Sequence, residues 1–243
     1  MPLQIGAALK SGGYRLASRT GALLTVSYVV LYAAYQTGYN VALNALYARL
    51  GVDAALAVPF TLPTPVAGAV VAVCLLALSY LSVVAIRTFV AGERDTVPGE
   101  FYTEGVVWAV PNLFVGGLVT MVLMTIGFAL LFVPGVFLLV SFVFMPMYVA
   151  VEGDNFVTAL RRSWVLARGD RWSILGLGLV VVAIGGAAGV VFGVVNVAAT
   201  FAGYQAVVPL VAAFVVSPVT IYNLATVAAA FEQLDAPPNA EAL

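Results

Sequence analysis

Six stretches of this chain are apolar for long enough to cross a bilayer, and that limits the fold more than any motif does. Crossing about 30 Å of hydrocarbon takes about 20 residues of helix. The runs at 21–41, 66–89, 106–131, 135–151, 172–198 and 206–231 meet or approach that length. At such depth every backbone N–H and C=O must be satisfied within the segment, so each run reads as a helix. The expected fold is an all-α polytopic transmembrane bundle with six spans. The chain is 63% hydrophobic and only 9% charged, with mean hydropathy +1.08. A soluble domain carries about a quarter charged residues, and such a chain could not cover its own surface in water.

Charge placement gives the orientation. With an even number of spans, one side holds Lys10, Arg15, Arg19, Arg87, Arg94, Arg161, Arg162, Arg168 and Arg171, and the other holds Arg49 alone. Basic residues collect on the cytoplasmic side, so both ends are expected there, in a multi-pass protein of the plasma membrane. The first apolar run is too long for a signal core and is expected to stay as an anchor.

The chain then divides into a cytoplasmic N-terminal interfacial segment (1–20), a six-helix membrane domain (21–231) and a disordered cytoplasmic tail (232–243) containing Pro237-Pro238. A short interfacial helix is expected before a break at Gly12-Gly13, and a turn at Pro134-Gly135 joins the third and fourth spans. Residues 43–65, with Pro59, Pro63 and Pro65, read as an extracytoplasmic connection.

Between spans four and five, Asp154 or Asn155 can cap a helix that Gly169 ends. At 100° per residue Phe156, Val157, Leu160, Trp164 and Ala167 share a face, with Arg161, Arg162 and Arg168 beside it. This reads as an amphipathic helix in the cytoplasmic interface, with Trp164 at headgroup depth. Arg161, Arg162, Trp164, Arg168 and Arg171 are therefore the candidate lipid- or partner-binding residues. The preceding loop is acidic, with Glu93, Asp95, Glu100 and Glu104, so the two loops can pair, bind anionic lipid or contact a soluble partner, or their charge can serve only to set topology.

Chemistry is sparse. There is no histidine and one cysteine, Cys74, which removes zinc sites, disulfides and histidine-based catalysis. No nucleotide-binding, nucleophile-elbow or metalloprotease fingerprint occurs, and no base stands beside a hydroxyl. No catalytic residue, metal or cofactor is assigned, and nothing points to nucleic acid. The spans hold essentially no charge, which counts against proton-coupled transport. Neutral polar residues do occur: Tyr35, Gln36, Asn40, Asn112, Asn196 and Asn223 could line a polar cavity, or bond neighbouring helices. Tyr28, Tyr32, Tyr35 and Tyr39 share one side of helix one, as a ligand groove or as packing. Gly185, Gly189 and Gly193 form a small-residue stripe suited to close helix approach, within the chain or with a second copy.

The run Phe132-Val133-Pro134-Gly135, then Met145-Pro146-Met147 and Val151-Glu152-Gly153-Asp154, then Ala159-Leu160-Arg161-Arg162-Ser163-Trp164 and Ala167-Arg168-Gly169-Asp170-Arg171-Trp172, resembles a set of uncharacterised six-helix membrane proteins. These are related to the membrane domain fused to some glycerophosphoryl diester phosphodiesterases, and they include haloarchaeal members. The resemblance implies an accessory or organising membrane module. The soluble barrel that hydrolyses phosphodiesters has no counterpart in this chain. Two functions follow as expectations: a non-enzymatic module binding membrane lipids, a protein partner or a second copy through its basic helix, or a small permease for a neutral or amphipathic solute.

Overall fold

Caps, prolines and left-handed glycines cut the apolar sequence into helices. The computed structural model describes residues 3–53, 56–60 and 62–235, and every regular element among them is helical. The α-helices are α1 (Ile5–Leu16), α2 (Arg19–Arg49), α3 (Thr64–Val90), α4 (Val106–Leu130), α5 (Phe132–Phe142), α6 (Met145–Val151), α7 (Phe156–Ala167), α8 (Arg171–Phe201) and α9 (Val208–Asp235), with 3-10 turns at Gly99–Tyr102 and Gln205–Val207. Five segments are long and apolar enough to cross a membrane: α3, α4, Phe132–Val151, α8 and α9. A sixth arises only if α1 and α2, bent by 74°, count as one span. The reason is visible in α2, where five tyrosines and Gln36 dilute the apolar run. Residues 236–243 of the expected tail lie outside the described residues, and α9 continues to Asp235.

Two local expectations shift. Helix α1 runs straight through Gly12-Gly13 and ends at Leu16. Gly12 is there for closeness: a Cβ on it would overlap the Thr226 side chain of α9. The turn between α4 and α5 falls at Leu131, which is extended at φ −162°, and Pro134-Gly135 sit inside the first turn of α5. Proline is tolerated there because its missing N–H would have no partner in a first turn.

The chain forms two compact units. The first holds the chain up to Ala22, Ser82–Val182 and the chain from Ile221. Its core includes Ile86, Phe89, Phe144, Met147, Val149, Ile221 and Phe231, all nearly or fully buried. Within it α4 and α5 form an antiparallel hairpin that continues into α6. Gly127 meets Gly135 near the turn and Gly116 meets Met145 further down, so small residues set the separation. The second unit holds Leu23–Leu81 and Ala183–Thr220, with Leu24, Ala67, Cys74 and Ala213 among its buried residues.

Candidate functional site

In the first unit, α7 is fixed by side chains at its start and again in its second half. Asn155 caps it, accepting from the Thr158 N–H at 2.9 Å. The amide oxygen of Asn112 accepts from the Phe156 N–H at 3.0 Å, while its Nδ2 donates to the Trp108 carbonyl on α4. Further along, the Ser163 hydroxyl donates to the Ser141 carbonyl at 2.8 Å and accepts from the Phe144 N–H at 3.1 Å. Those two groups lie where α5 gives way to α6, so one hydroxyl bridges the break. The buried side of α7 is Ala159, Ser163 and Ala167, small residues that let it lie close on α5 and α6, whereas Val157 is exposed.

The candidate cations fall into three settings. Arg162 is engaged: Nη1 lies 2.9 Å from Asp154 and 3.6 Å from Glu152, and its guanidinium lies 4.1 Å from the Tyr148 ring centre. Burial disfavours its charge, but the hydrogen bond and charge of Asp154, with Glu152, outweigh that and raise its pKa. Arg161 and Arg168 are exposed, seven residues apart and hence on one side of α7. Arg171 stacks, with its guanidinium 4.4 Å from the centre of Phe137 and 5.1 Å from that of Trp164.

Trp164 is drawn into the protein, edge-on to Phe137 at 5.1 Å and 5.8 Å from Phe142. Beside this stack runs an apolar groove of about 400 Å³, lined by Phe132, Val133, Val136, Phe137 and Val140 of α5 and by Arg171, Trp172 and Leu175 of α8. The Nε of Arg171 is shielded from solvent and has no hydrogen-bond partner. Arg171 supplies the charge in a lining that is otherwise apolar and aromatic.

The second unit contains a polar cleft of about 530 Å³, to which Gln36, Tyr39 and Asn40 of α2, Asn196 and Thr200 of α8, and Pro209 and Ala212 of α9 contribute. Three of the six candidate cavity residues, Gln36, Asn40 and Asn196, therefore come together. Asn40 is largely spent on structure, donating to the Ala57 carbonyl at 2.8 Å and accepting from Gln36 at 3.0 Å. Tyr35 stacks between Tyr32 and Tyr39 at 5.9 and 5.8 Å, and Tyr28 is buried, 3.4 Å from the Leu78 carbonyl. Asn112 and Asn223 belong to the first unit, where the Asn223 Oδ1 is shielded without a partner. Of the glycine stripe, Gly185 is 3.9 Å (as a Cβ) from Val219, while a Cβ on Gly189 or Gly193 would meet open space.

Two charged residues in the first unit have a larger role than sequence reasoning gave them. Arg15 is buried and pairs with Glu232 at 2.7 Å. Arg87 gathers carbonyls: its Nε donates to Ala150 at 2.6 Å and its Nη1 to Glu104 at 2.6 Å. Neither partnership has a local signal, since they span 217 and 63 residues. Among the described residues no cluster of three or more His, Cys, Asp or Glu could hold a metal ion.

A family model described as a domain of unknown function, DUF7847, matches residues 3–234, and the chain belongs to that family. No curated protein matches the chain. No solved structure matches it either.

Proposed function

We propose that this DUF7847 protein is a non-enzymatic integral membrane module that holds an anionic phospholipid in the groove between α5 and α8. The observation that carries the reading is Arg171: a guanidinium stacked on Phe137 and Trp164 that supplies the charge in the lining of an apolar groove. A phosphate oxygen is a natural acceptor for a guanidinium, whose fork matches phosphate geometry. Arg168, exposed three residues earlier, adds a second positive charge. An acyl chain along Phe132, Val136 and Val140 covers apolar surface that the protein leaves open. The nine-to-one distribution of basic residues supports a plasma-membrane protein with both ends cytoplasmic, and it is the same for four crossings or six.

Native mass spectrometry of protein extracted from mixed anionic and zwitterionic bilayers tests the reading. Each surface cation contributes about 1 kcal/mol to anionic lipid binding, so Arg168→Gln with Arg171→Gln should lower anionic lipid retention roughly tenfold or more. Equal retention by the variant and the parent would remove the proposal. Arg162 is unsuited to this test because its loss would also free Asp154 and Glu152.

The polar cleft supports a second reading, a path for a neutral polar solute past Gln36, Asn196 and Thr200. Proteoliposomes that admit small polyols no faster than empty vesicles would end it.

A further inference from the structure

The base of the α4–α5 hairpin is fixed at the last turn of α3, where Arg87 donates to the carbonyls of Glu104 and Ala150. Its other end is fixed too. Phe132, Val133, Val136 and Phe137, the residues just past the turn, line one groove with Arg171, Trp172 and Leu175 of the first two turns of α8. The question is whether those two anchoring points lie at one side of a bilayer or at opposite sides.

Hydrogen bonds within the first unit gather them at one side. Ala150, bonded to Arg87, ends the same short helix as Tyr148, whose hydroxyl donates to Asp235 at the end of α9 at 3.0 Å. Two residues back on α9, Gln233 accepts from the Gln4 N–H at 2.9 Å, and the neighbouring Leu3 N–H lies 3.4 Å from Asp170, the residue before α8. At the start of α2, the Thr20 hydroxyl donates to the Glu93 carbonyl just past α3 at 2.9 Å. The ends of α3 and α9 and the starts of α2 and α8 thus share one layer. Helix α4 has 25 residues and is about 37 Å long. Had it crossed beside α3, its far end would stand beyond the opposite edge of a ~30 Å hydrocarbon layer, well away from the start of α8.

We propose that the α4–α5 hairpin, although long and apolar enough to cross, lies along one leaflet with acyl chains beneath the headgroups as its partner, and that α2, α3, α8 and α9 are the crossing helices. No charged residue occurs from Gly105 to Val151, so the surface suits lipid and offers nothing to a charged soluble partner. Its outer residues are large and uncovered, Met121, Val122, Leu130 and Leu131 among them. Trp108 near the base is 58% exposed and Trp172 beside the far end is 85% exposed, both suited to the headgroup boundary where indole rings concentrate. Helix α7 covers another side of the hairpin and turns Arg161 and Arg168 outward. The inference does not depend on Arg171 holding a lipid, and either can fail alone.

The test uses the full chain with Cys74→Ala in sealed vesicles of known orientation. An environment-insensitive position is not needed, only a side: the dye NBD is attached at Leu131→Cys or, separately, at Glu104→Cys, and dithionite is added outside. The expected result is loss of fluorescence at both positions in the same vesicle orientation. Loss at Leu131→Cys only in the opposite orientation overturns the proposal, and so does protection in both. Leu130→Cys, also exposed, repeats the measurement should Leu131→Cys not fold.

Discussion

Glycine at position 127 has a job that alanine cannot do. A Cβ there would stand 3.0 Å from the Gly135 Cα and 3.1 Å from its backbone nitrogen, and backbone cannot swing aside as a side chain can. Gly127→Ala should therefore part α4 and α5 and cost about 1–3 kcal/mol, read as a lower midpoint in denaturant unfolding followed by tryptophan fluorescence. Gly117→Ala, where a Cβ meets nothing within 4 Å, should leave the midpoint unchanged or slightly raised. The Arg15–Glu232 pair gives a second contrast. Removing one partner of a mostly buried pair strands the other, so Arg15→Ala should destabilise by about 2–3 kcal/mol, less than a fully buried pair because Glu232 is part-exposed. Arg15→Met with Glu232→Leu should recover most of that loss. A double variant no better than the single one would show that the charge pair itself is needed.

Among the elements, α7 was the most legible in sequence. Its cap at Asn155 and its length are local properties, encoded by an amide that can accept from the first turn. Asn155→Ala should cost about 1 kcal/mol by the same unfolding measurement. Which side α7 buries was not legible. Periodicity favours the face with Phe156 and Trp164, whereas the closest approach uses Ala159, Ser163 and Ala167. Ser163→Ala should cost more than the cap, about 1–3 kcal/mol, because it leaves the shielded Phe144 N–H without an acceptor where α5 meets α6. A loss smaller than that of Asn155→Ala would show that the hydroxyl does not hold the break. The turn at Leu131 escaped notice because Pro134-Gly135 is a turn signal between helices and is equally at home in a first helical turn.

At the scale of the whole molecule, hydropathy marks the segments apolar enough to cross a membrane, and charge is the basis on which both ends are proposed to share a side. Neither distinguishes a helix that crosses from one that lies along a leaflet, since α4 is apolar all round in both cases. The proposed leaflet placement rests instead on pairings far apart in sequence, such as Arg87 with Ala150 and Leu3 with Asp170. The polar cleft was half legible for the same reason: Gln36 and Asn40 are one turn apart on α2, but their meeting with Asn196 is a tertiary event. Arg171 and Trp164 were legible as cation and aromatic, and only the fold shows them stacked beside a groove. The most direct measurement is photo-crosslinking in bilayers doped with an anionic phospholipid carrying a diazirine on its acyl chain, with adducts mapped by mass spectrometry. Lipid held at Arg171 predicts adducts concentrated on Val133, Val136 and Leu175 and lost in Arg168→Gln with Arg171→Gln. Adducts spread evenly over the exposed faces of α4 and α8, and unchanged by the substitutions, would contradict it.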